Sequence, residues 1–307
     1  MILFIDDQPD YIKAYVDSII AIDLQVHILS TIAEIKDYII NPSVTPSCIV
    51  LDVMFPGDQT LPGFLTEEGM KAGMLLFASL RSRFPRVHII VFTNSFDIAI
   101  RDFFQRQDKC SLYYKTELLP DELASVIKDI VNDRGSSLLA SLSDCNPGHK
   151  HSKVFEEVCT SILEFLFVPP LTHIIPQSAR SNGHDIRDAI LPNNAIGFFW
   201  ESIRREFGAK HLVVEFKNYK KPIGKNEVIQ LRQYLNRKSI GRFGILISRC
   251  PPSESALIER KDAYSDQDIL ILFIDDVIIK ELIMARRQGQ DPSIILQEMK
   301  ESFEINY

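Results

Sequence analysis

The 307-residue chain holds one tryptophan and five cysteines. Cys48, Cys110, Cys145, Cys159 and Cys250 are scattered, with no CxxC and no paired spacing. That pattern argues against a zinc site or a disulfide framework and suits a reducing compartment. Long apolar runs are also missing. Ile269–Ile274 is among the longest, and it is far too short to span a bilayer. The opening residues, MILFIDD, carry no basic flank and reach an acidic pair at Asp6 and Asp7, so no secretory signal is read there. These absences point to a cytoplasmic location with no membrane partner.

Hydrophobic residues make up 46% and charged residues 24% of the chain, an ordinary globular balance with enough length for two cores. The net charge of -7 is uneven. Residues 1–150 contain 13 Lys/Arg against 20 Asp/Glu, whereas residues 151–307 contain 21 of each. Within the second half, Arg204–Arg249 has 12 basic and 3 acidic residues. A basic stretch in an acidic protein is either a polyanion surface or a set of solvated helix faces.

Residues 1–133 alternate short apolar runs with amphipathic segments. Ile2–Ile5, Val26–Leu29, Cys48–Leu51, His88–Phe92 and Leu112–Tyr114 read as strands. Helical patterns lie near Tyr11–Ile22, Ile32–Ile39, Gly69–Arg83, Phe96–Arg106 and Pro120–Asn132. Five βα units imply a five-stranded parallel, doubly wound (flavodoxin-like) α/β domain. Residues 134–151 are rich in Ser, Gly and Asn and read as a linker. A second domain, 152–307, shows a helix at Lys153–Phe167 and strands around Ile186–Leu191, Leu212–Lys217, Phe243–Ser248 and Ile269–Ile274. A further helix is read at Lys225–Leu235 and a terminal one after the last strand, giving an α/β domain with a mixed sheet. The string ILFIDD occurs at both Ile2–Asp7 and Ile271–Asp276. The second copy lacks the later elements of the first and reads as a buried strand whose acids cap the next helix.

Asp6 and Asp7 end the first strand, Asp52 the third, Thr93 the fourth and Lys115 the fifth. In a parallel doubly wound sheet those ends open on one edge, where such folds bind ligands. Three carboxylates there call for a hard cation, and Mg²⁺ suits oxygen ligands. Asp52 can then act as a nucleophile toward a phosphoryl group, with Thr93 and Lys115 binding its oxygens. The set, with LDVMFPG around Asp52, VFTNS around Thr93 and YYK at Lys115, resembles the response-regulator receiver family. The resemblance implies phosphorylation of Asp52, Mg²⁺ on Asp6, Asp7 and Asp52, and a histidine kinase or phosphorelay partner. Two positions depart from the family. Thr116 stands where Pro is usual, and Leu112 stands at the place of the switch aromatic, with Tyr113 and Tyr114 out of register. The loop after Asp52 is long and is a candidate partner surface.

In the second domain, Glu215 and Lys217 are two apart in a strand and share a face. Asp188 lies in the preceding strand, with Asp185 competing for the same role. Gln230 follows in QLRQYL, and Glu156 and Glu157 sit early on the first helix. Helix acid, strand acid, ExK strand and a helix bearing Gln together resemble the PD-(D/E)xK, restriction-endonuclease-like nuclease superfamily. The resemblance implies Asp188 and Glu215 as metal ligands, with Glu156 or Glu157 joining through water, Lys217 as catalytic lysine and Gln230 as an auxiliary residue. It also implies Mg²⁺, with Mn²⁺ as a substitute. Arg204, Arg205, Lys220, Lys221, Lys225, Arg232 and Arg242 are the candidate phosphate contacts. Trp200 reads as core and His184 as a loop residue. The expectation is a phosphorylation-controlled deoxyribonuclease, with a homodimer as a candidate assembly, suited to defence against foreign (phage) DNA. Its alternative is a response regulator whose nuclease-like domain binds DNA or a partner without cleaving it.

Overall fold

The computed structural model describes residues 1–55, 70–179, 186–195, 198–235 and 240–307. The chain divides into two compact units. Met1–Arg134 with Arg287–Asp291 forms one, and Gly135–Arg286 with Pro292–Tyr307 the other.

The first unit holds strands β1 (Ile2–Ile5), β2 (Val26–Leu29), β3 (Cys48–Leu51), β4 (His88–Thr93) and β5 (Cys110–Tyr114). Its helices are α1 (Lys13–Ala21), α2 (Ile32–Ile40), α3 (Met70–Arg83), α4 (Ile98–Phe104) and α5 (Pro120–Val131). The sheet order is β2-β1-β3-β4-β5 and every pairing is parallel. Every residue of β1, β3 and β4 is buried, so these strands read as unbroken apolar runs rather than alternating ones. Leu3, Ile5, Ile49, Leu51, Ile89 and Val91 face α2, α3 and α4. Ile2, Phe4, Cys48, Val50, Ile90 and Phe92 face α1 and α5. Local chemistry sets the helix starts. Thr31 and Glu34 form a capping box on α2, Asp97 accepts from Ala99 N and Ile100 N at α4, and Pro120 opens α5.

The second unit contains α6 (Arg134–Asp144, whose first residue falls in the first unit), α7 (Ser152–Phe167), β6 (Ile175–Ala179), β7 (Ile186–Pro192) and α8 (Phe198–Phe207). It continues with β8 (His211–Lys217), α9 (Lys225–Tyr234), β9 (Phe243–Ser248), α10 (Glu254–Gln267), β10 (Leu270–Ile274), α11 (Asp276–Gln288) and α12 (Ser293–Ile305). The sheet order is β10-β9-β8-β7-β6. The β8, β9 and β10 strands are parallel, and β7 and β6 run antiparallel to their neighbours. The sheet is therefore mixed. Val214, Phe216, Ile245, Ile247, Leu272 and Ile274 pack with α6, α7, α8, α11 and α12. Val213, Leu246 and Ile271 pack with α9 and α10. Gly244 lets α9 lie close to β9, because a methyl there would sit 3.0 Å from Leu235 and 3.2 Å from Leu231.

Residues 134–151, expected as a linker, are largely ordered secondary structure. They carry α6 and a 3₁₀ turn at His149–His151, and Leu138, Leu142 and Cys145 join the second unit's core. The terminal helix is two helices, α11 and α12. Strand β6 and helices α8 and α10 add to the elements read from sequence. In the second ILFIDD copy, Asp275 accepts from Val277 N (2.9 Å) and Ile278 N (3.0 Å), as a helix cap does. Trp200 is buried against Phe167 and Phe199. Among the described residues, no helix is long and apolar enough to cross a membrane.

Candidate functional site

In the first unit, the C-terminal ends of β1, β3, β4 and β5 bring Asp6, Asp7, Asp52, Thr93 and Lys115 to one edge of the sheet. One oxygen from each of Asp6, Asp7 and Asp52 lies within 4.8 Å of the others, and among the described residues no second such group of three acids, histidines or cysteines occurs. The Lys115 ammonium sits between two of them, 2.7 Å from Asp6 and 2.6 Å from Asp52, and all three side chains are buried. Burial raises the Asp6 carboxyl pKa and Asp52 raises it further, while Lys115 pulls it down without cancelling the rise. Burial also raises Asp7. Burial by itself would lower the Lys115 pKa, but Asp52 and Asp6 more than offset it and the group is raised. The site is thus short of positive charge. Oδ1 of Asp7 is buried without a hydrogen-bond partner, and the donor set is all oxygen. This chemistry fits a hard divalent cation such as Mg²⁺, held by Asp6, Asp7 and Asp52.

Neighbouring contacts hold the site in shape. Asp52 Oδ1 accepts from Met54 N at 3.0 Å, and Asp6 Oδ1 accepts from Gln8 N at 2.9 Å. Tyr15 donates its hydroxyl to Lys115 O and Leu118 O, each at 3.0 Å, which fixes the turn after β5. Gly73 lies against Val53, so close that a methyl there would overlap the Val53 backbone. Thr93 is fully buried and accepts from Ser95 N at 3.2 Å. Leu112 packs on the core, whereas Tyr114 stacks on exposed Phe96 with centroids 4.5 Å apart and planes at 21°. That aromatic pair leaves no mark in the sequence, because its two rings come from separate segments of the chain. The loop after Asp52, at 56–69, lies outside the described residues.

In the second unit, the β7–β8 register pairs Ala189 with Val214. One step further along the ladder come Asp188 and Glu215, close enough for the Asp188 charge to raise the Glu215 carboxyl. Asp188 Oδ2 accepts from Phe216 N at 2.7 Å. Lys217 Nζ donates to Glu215 Oε2 at 3.2 Å and to Gln230 Oε1 at 3.3 Å. Residues 213, 215 and 217 share the strand face that looks toward α9, which is why a side chain of α9 reaches the lysine. Burial, then Asp188, push the Glu215 carboxyl up to about 7, with Lys217 opposing. Burial raises Asp188 as well. Burial opposes the Lys217 charge, but Glu215 and Asp188 prevail and its pKa is raised, so Lys217 is an ammonium. With both acids ionised, Glu215 Oε1 has no donor. Two neighbouring acids, one with an orphaned buried oxygen, fit a divalent cation held between them.

Other expected site residues stand apart from this group. Glu156 does not join Asp188 and Glu215 in a three-carboxylate group among the described residues. Asp185, His184 and the turn at Gly183 lie outside the described residues. The basic residues divide. Arg204 donates to Asn193 O at 3.3 Å, next to the Pro192–His211 end of the sheet, and Arg242 N bonds Phe207 O at 2.9 Å at that same end. β8 runs from His211 to Lys217, about 20 Å at the usual rise, so Arg204 and Arg242 are a strand length from the acids. Arg205 neighbours Arg204 on α8, on the wrong end for a phosphate contact beside Lys217. Arg232 is also reassigned. Its guanidinium donates to Gln267 (2.9 Å), Glu259 (3.1 Å) and Asp266 (3.1 Å), tying α9 to α10. Lys220, Lys221 and Lys225 are exposed and follow the site end of β8.

No protein-family model matches the chain. Over 161 residues, 50% of its length, the chain is 26% identical to the putative transposon gamma-delta 80.3 kDa protein of Escherichia coli (strain K12). It spans 22% of that protein's length. Among solved structures, it is similar to a CheY-like response regulator receiver domain protein from Methanospirillum hungatei JF-1. There the identity is 17%, with 44% of this chain and 96% of that chain covered, at a TM-score of 0.35. A response regulator receiver protein from Sinorhizobium medicae WSM419 matches at 14% identity, with 43% and 94% covered and a TM-score of 0.34.

Proposed function

We propose that the first unit accepts a phosphoryl group on Asp52 and that the second unit is a divalent-metal-dependent phosphodiester hydrolase under its control. The juxtaposition of Asp6, Asp7, Asp52 and Lys115 supports the first part. An Asp52 oxygen forms a bond to phosphorus as the bond to a phosphohistidine nitrogen or acyl oxygen breaks. Lys115 and Thr93 then take phosphoryl oxygens, and a cation held by Asp6, Asp7 and Asp52 would supply charge neutralisation. The partner is a histidine kinase or phosphorelay protein.

The second part is carried by the convergence of Asp188, Glu215, Lys217 and Gln230 at one strand end. A cation held by Asp188 and Glu215 would supply an activated water and electrostatic neutralisation. Lys217, as an ammonium, is a donor rather than a base. It orients the attacking water or holds a phosphate oxygen, and Gln230 fixes its direction. Lys220, Lys221 and Lys225 carry the polynucleotide backbone toward the acids. DNA is the proposed substrate, and removal of foreign DNA suits a nuclease kept under signal control.

The test is full-length protein with plasmid and Mg²⁺ or Mn²⁺, with and without acetyl phosphate. Cleavage should require metal and be lost in Lys217→Ala. Phospholabelling should be lost in Asp52→Asn. Full cleavage by Lys217→Ala would remove the hydrolase reading, and wild-type labelling of Asp52→Asn would remove the phospho-acceptor reading.

A further inference from the structure

We infer that the short junction between α6 and α7 controls the candidate hydrolytic site by gripping the strand ends that carry it; this rests on the hydrolase reading above. Asn218 follows Lys217 directly and is buried. Its Nδ2 donates to Asn146 O at 3.0 Å and to Gly148 O at 3.1 Å, and Gly148 N donates back to Asn218 O at 2.8 Å. Three hydrogen bonds thus tie the junction to the residue beside the candidate catalytic lysine. The His149 ring reinforces them, 5.5 Å from the Tyr219 ring.

The neighbouring strand end holds the same junction. Ser248 is in register with Lys217, and Arg249 follows it. Arg249 donates to Cys145 O at 2.8 Å and to Leu142 O at 3.4 Å, capping the C-terminal end of α6. Its guanidinium also pairs with Asp276 at 3.0 Å and covers the Phe155 ring of α7 at 5.1 Å. The ends of β8 and β9, where the acids and lysine converge, are therefore the surface on which residues 142–148 are hung.

Two details make the junction a control element rather than a simple brace. Gly148 adopts φ +124°, which glycine reaches freely and a β-carbon disfavours, so the shape of the turn depends on a glycine at this position. Asn218 Oδ1 is buried without a partner, because the two carbonyl acceptors fix which way the amide faces. This arrangement has an unsatisfied group that a shifted junction can relieve. Upstream, two residues, Asn132 and Asp133, connect α5 to α6 in the chain. A displacement at the end of α5 is passed along α6 to Asn218 and so to Lys217.

The test uses full-length wild type, Asn218→Ala and Gly148→Ala, each with Mg²⁺ and with or without acetyl phosphate. Hydrogen exchange is followed in peptides covering 145–151 and 215–219, and plasmid cleavage is measured in the same samples. In the wild type, acetyl phosphate should change exchange in both peptides by about fivefold, the worth of one hydrogen bond. In Asn218→Ala the 145–151 change should persist and the 215–219 change should vanish, with cleavage no longer responding to acetyl phosphate. Gly148→Ala, approached from the other side of the contact, should decouple in the same way. Unchanged exchange in the wild type overturns the inference, as does full transmission in both variants. Exchange that responds while plasmid stays intact supports the coupling and sinks the hydrolase reading. Metal-dependent cutting with silent peptides sinks the coupling alone.

Discussion

Replacing Glu215 by Gln should abolish cleavage and, in the metal-free protein, make the fold more stable. The carboxyl is held at about 7 against an ordinary 4.5, first by burial and then by Asp188. A folded state that keeps its proton up to a higher pH than the unfolded chain loses stability as pH rises between those two values. The penalty is absent below about pH 4.5 and complete above about pH 7. A shift of that size corresponds to about 3 kcal/mol, at roughly 1.4 kcal/mol per unit. Glutamine keeps the size and an acceptor for Lys217 but cannot ionise. Urea unfolding in EDTA should therefore show E215Q as more stable than wild type at pH 8, by up to ~3 kcal/mol, a figure that already contains the opposing pull of Lys217. The difference should shrink toward zero at pH 4.5. Adding Mg²⁺ should stabilise the wild type more than E215Q, which keeps only the Asp6–Asp7–Asp52 group. A variant less stable than wild type at pH 8, or a gap that does not vary with pH, would refute the assignment of Glu215 as a buried acid awaiting a cation.

Lys115→Met should destabilise the metal-free first unit by about 3 kcal/mol, because Asp6 and Asp52 are left buried without their counter-charge; thermal unfolding that recovers with Mg²⁺ would check this. Lys220→Ala combined with Lys221→Ala should weaken DNA binding and flatten its salt dependence by roughly two counterions. Arg204→Ala combined with Arg205→Ala should leave both unchanged, and fluorescence anisotropy against salt separates the two pairs. Gly73→Ala should force α3 away from Val53 and slow labelling of Asp52, read as the rate of acetyl-phosphate incorporation.

Much of this architecture can be read before any coordinates. β1, β3 and β4 are continuous apolar runs buried along their whole length, and the ends of β1, β3 and β5 carry the acids and the lysine in order. Period-two alternation is enough to put Glu215 and Lys217 on one face. Other features leave no such trace. β6 has Pro, Gln and Ser in five residues and lies at the sheet edge, where an apolar pattern is not required. α10 buries only Ala256 and Ala263, so it lacks a recognisable hydrophobic stripe. α6 has the composition of a linker, yet Leu138 and Leu142 are four apart and buried, and Gly135 is buried with them. Charge density along the chain also misled. The stretch from Arg204 to Arg249 is contiguous in sequence, but β8 carries its two ends to opposite edges of the sheet. The partners of Arg232 lie 27 to 35 residues further on, on a helix the charge pattern does not disclose.

The single ammonium of Lys115 has a further consequence for the first unit. It serves two carboxylates at once, so whatever recruits it to one side leaves the other in deficit. A phosphoryl group on Asp52 that draws Lys115 toward its own oxygens strips Asp6 of its counter-charge, and the affinity of the acid cluster for a divalent ion must rise in response. By reciprocity, an ion bound first makes Lys115 cheaper to release and so favours the phosphorylated form by the same factor. On the proposed reading, cation concentration and phosphodonor supply would act as joint inputs to one equilibrium, and the phosphorylated fraction would rise with free Mg²⁺.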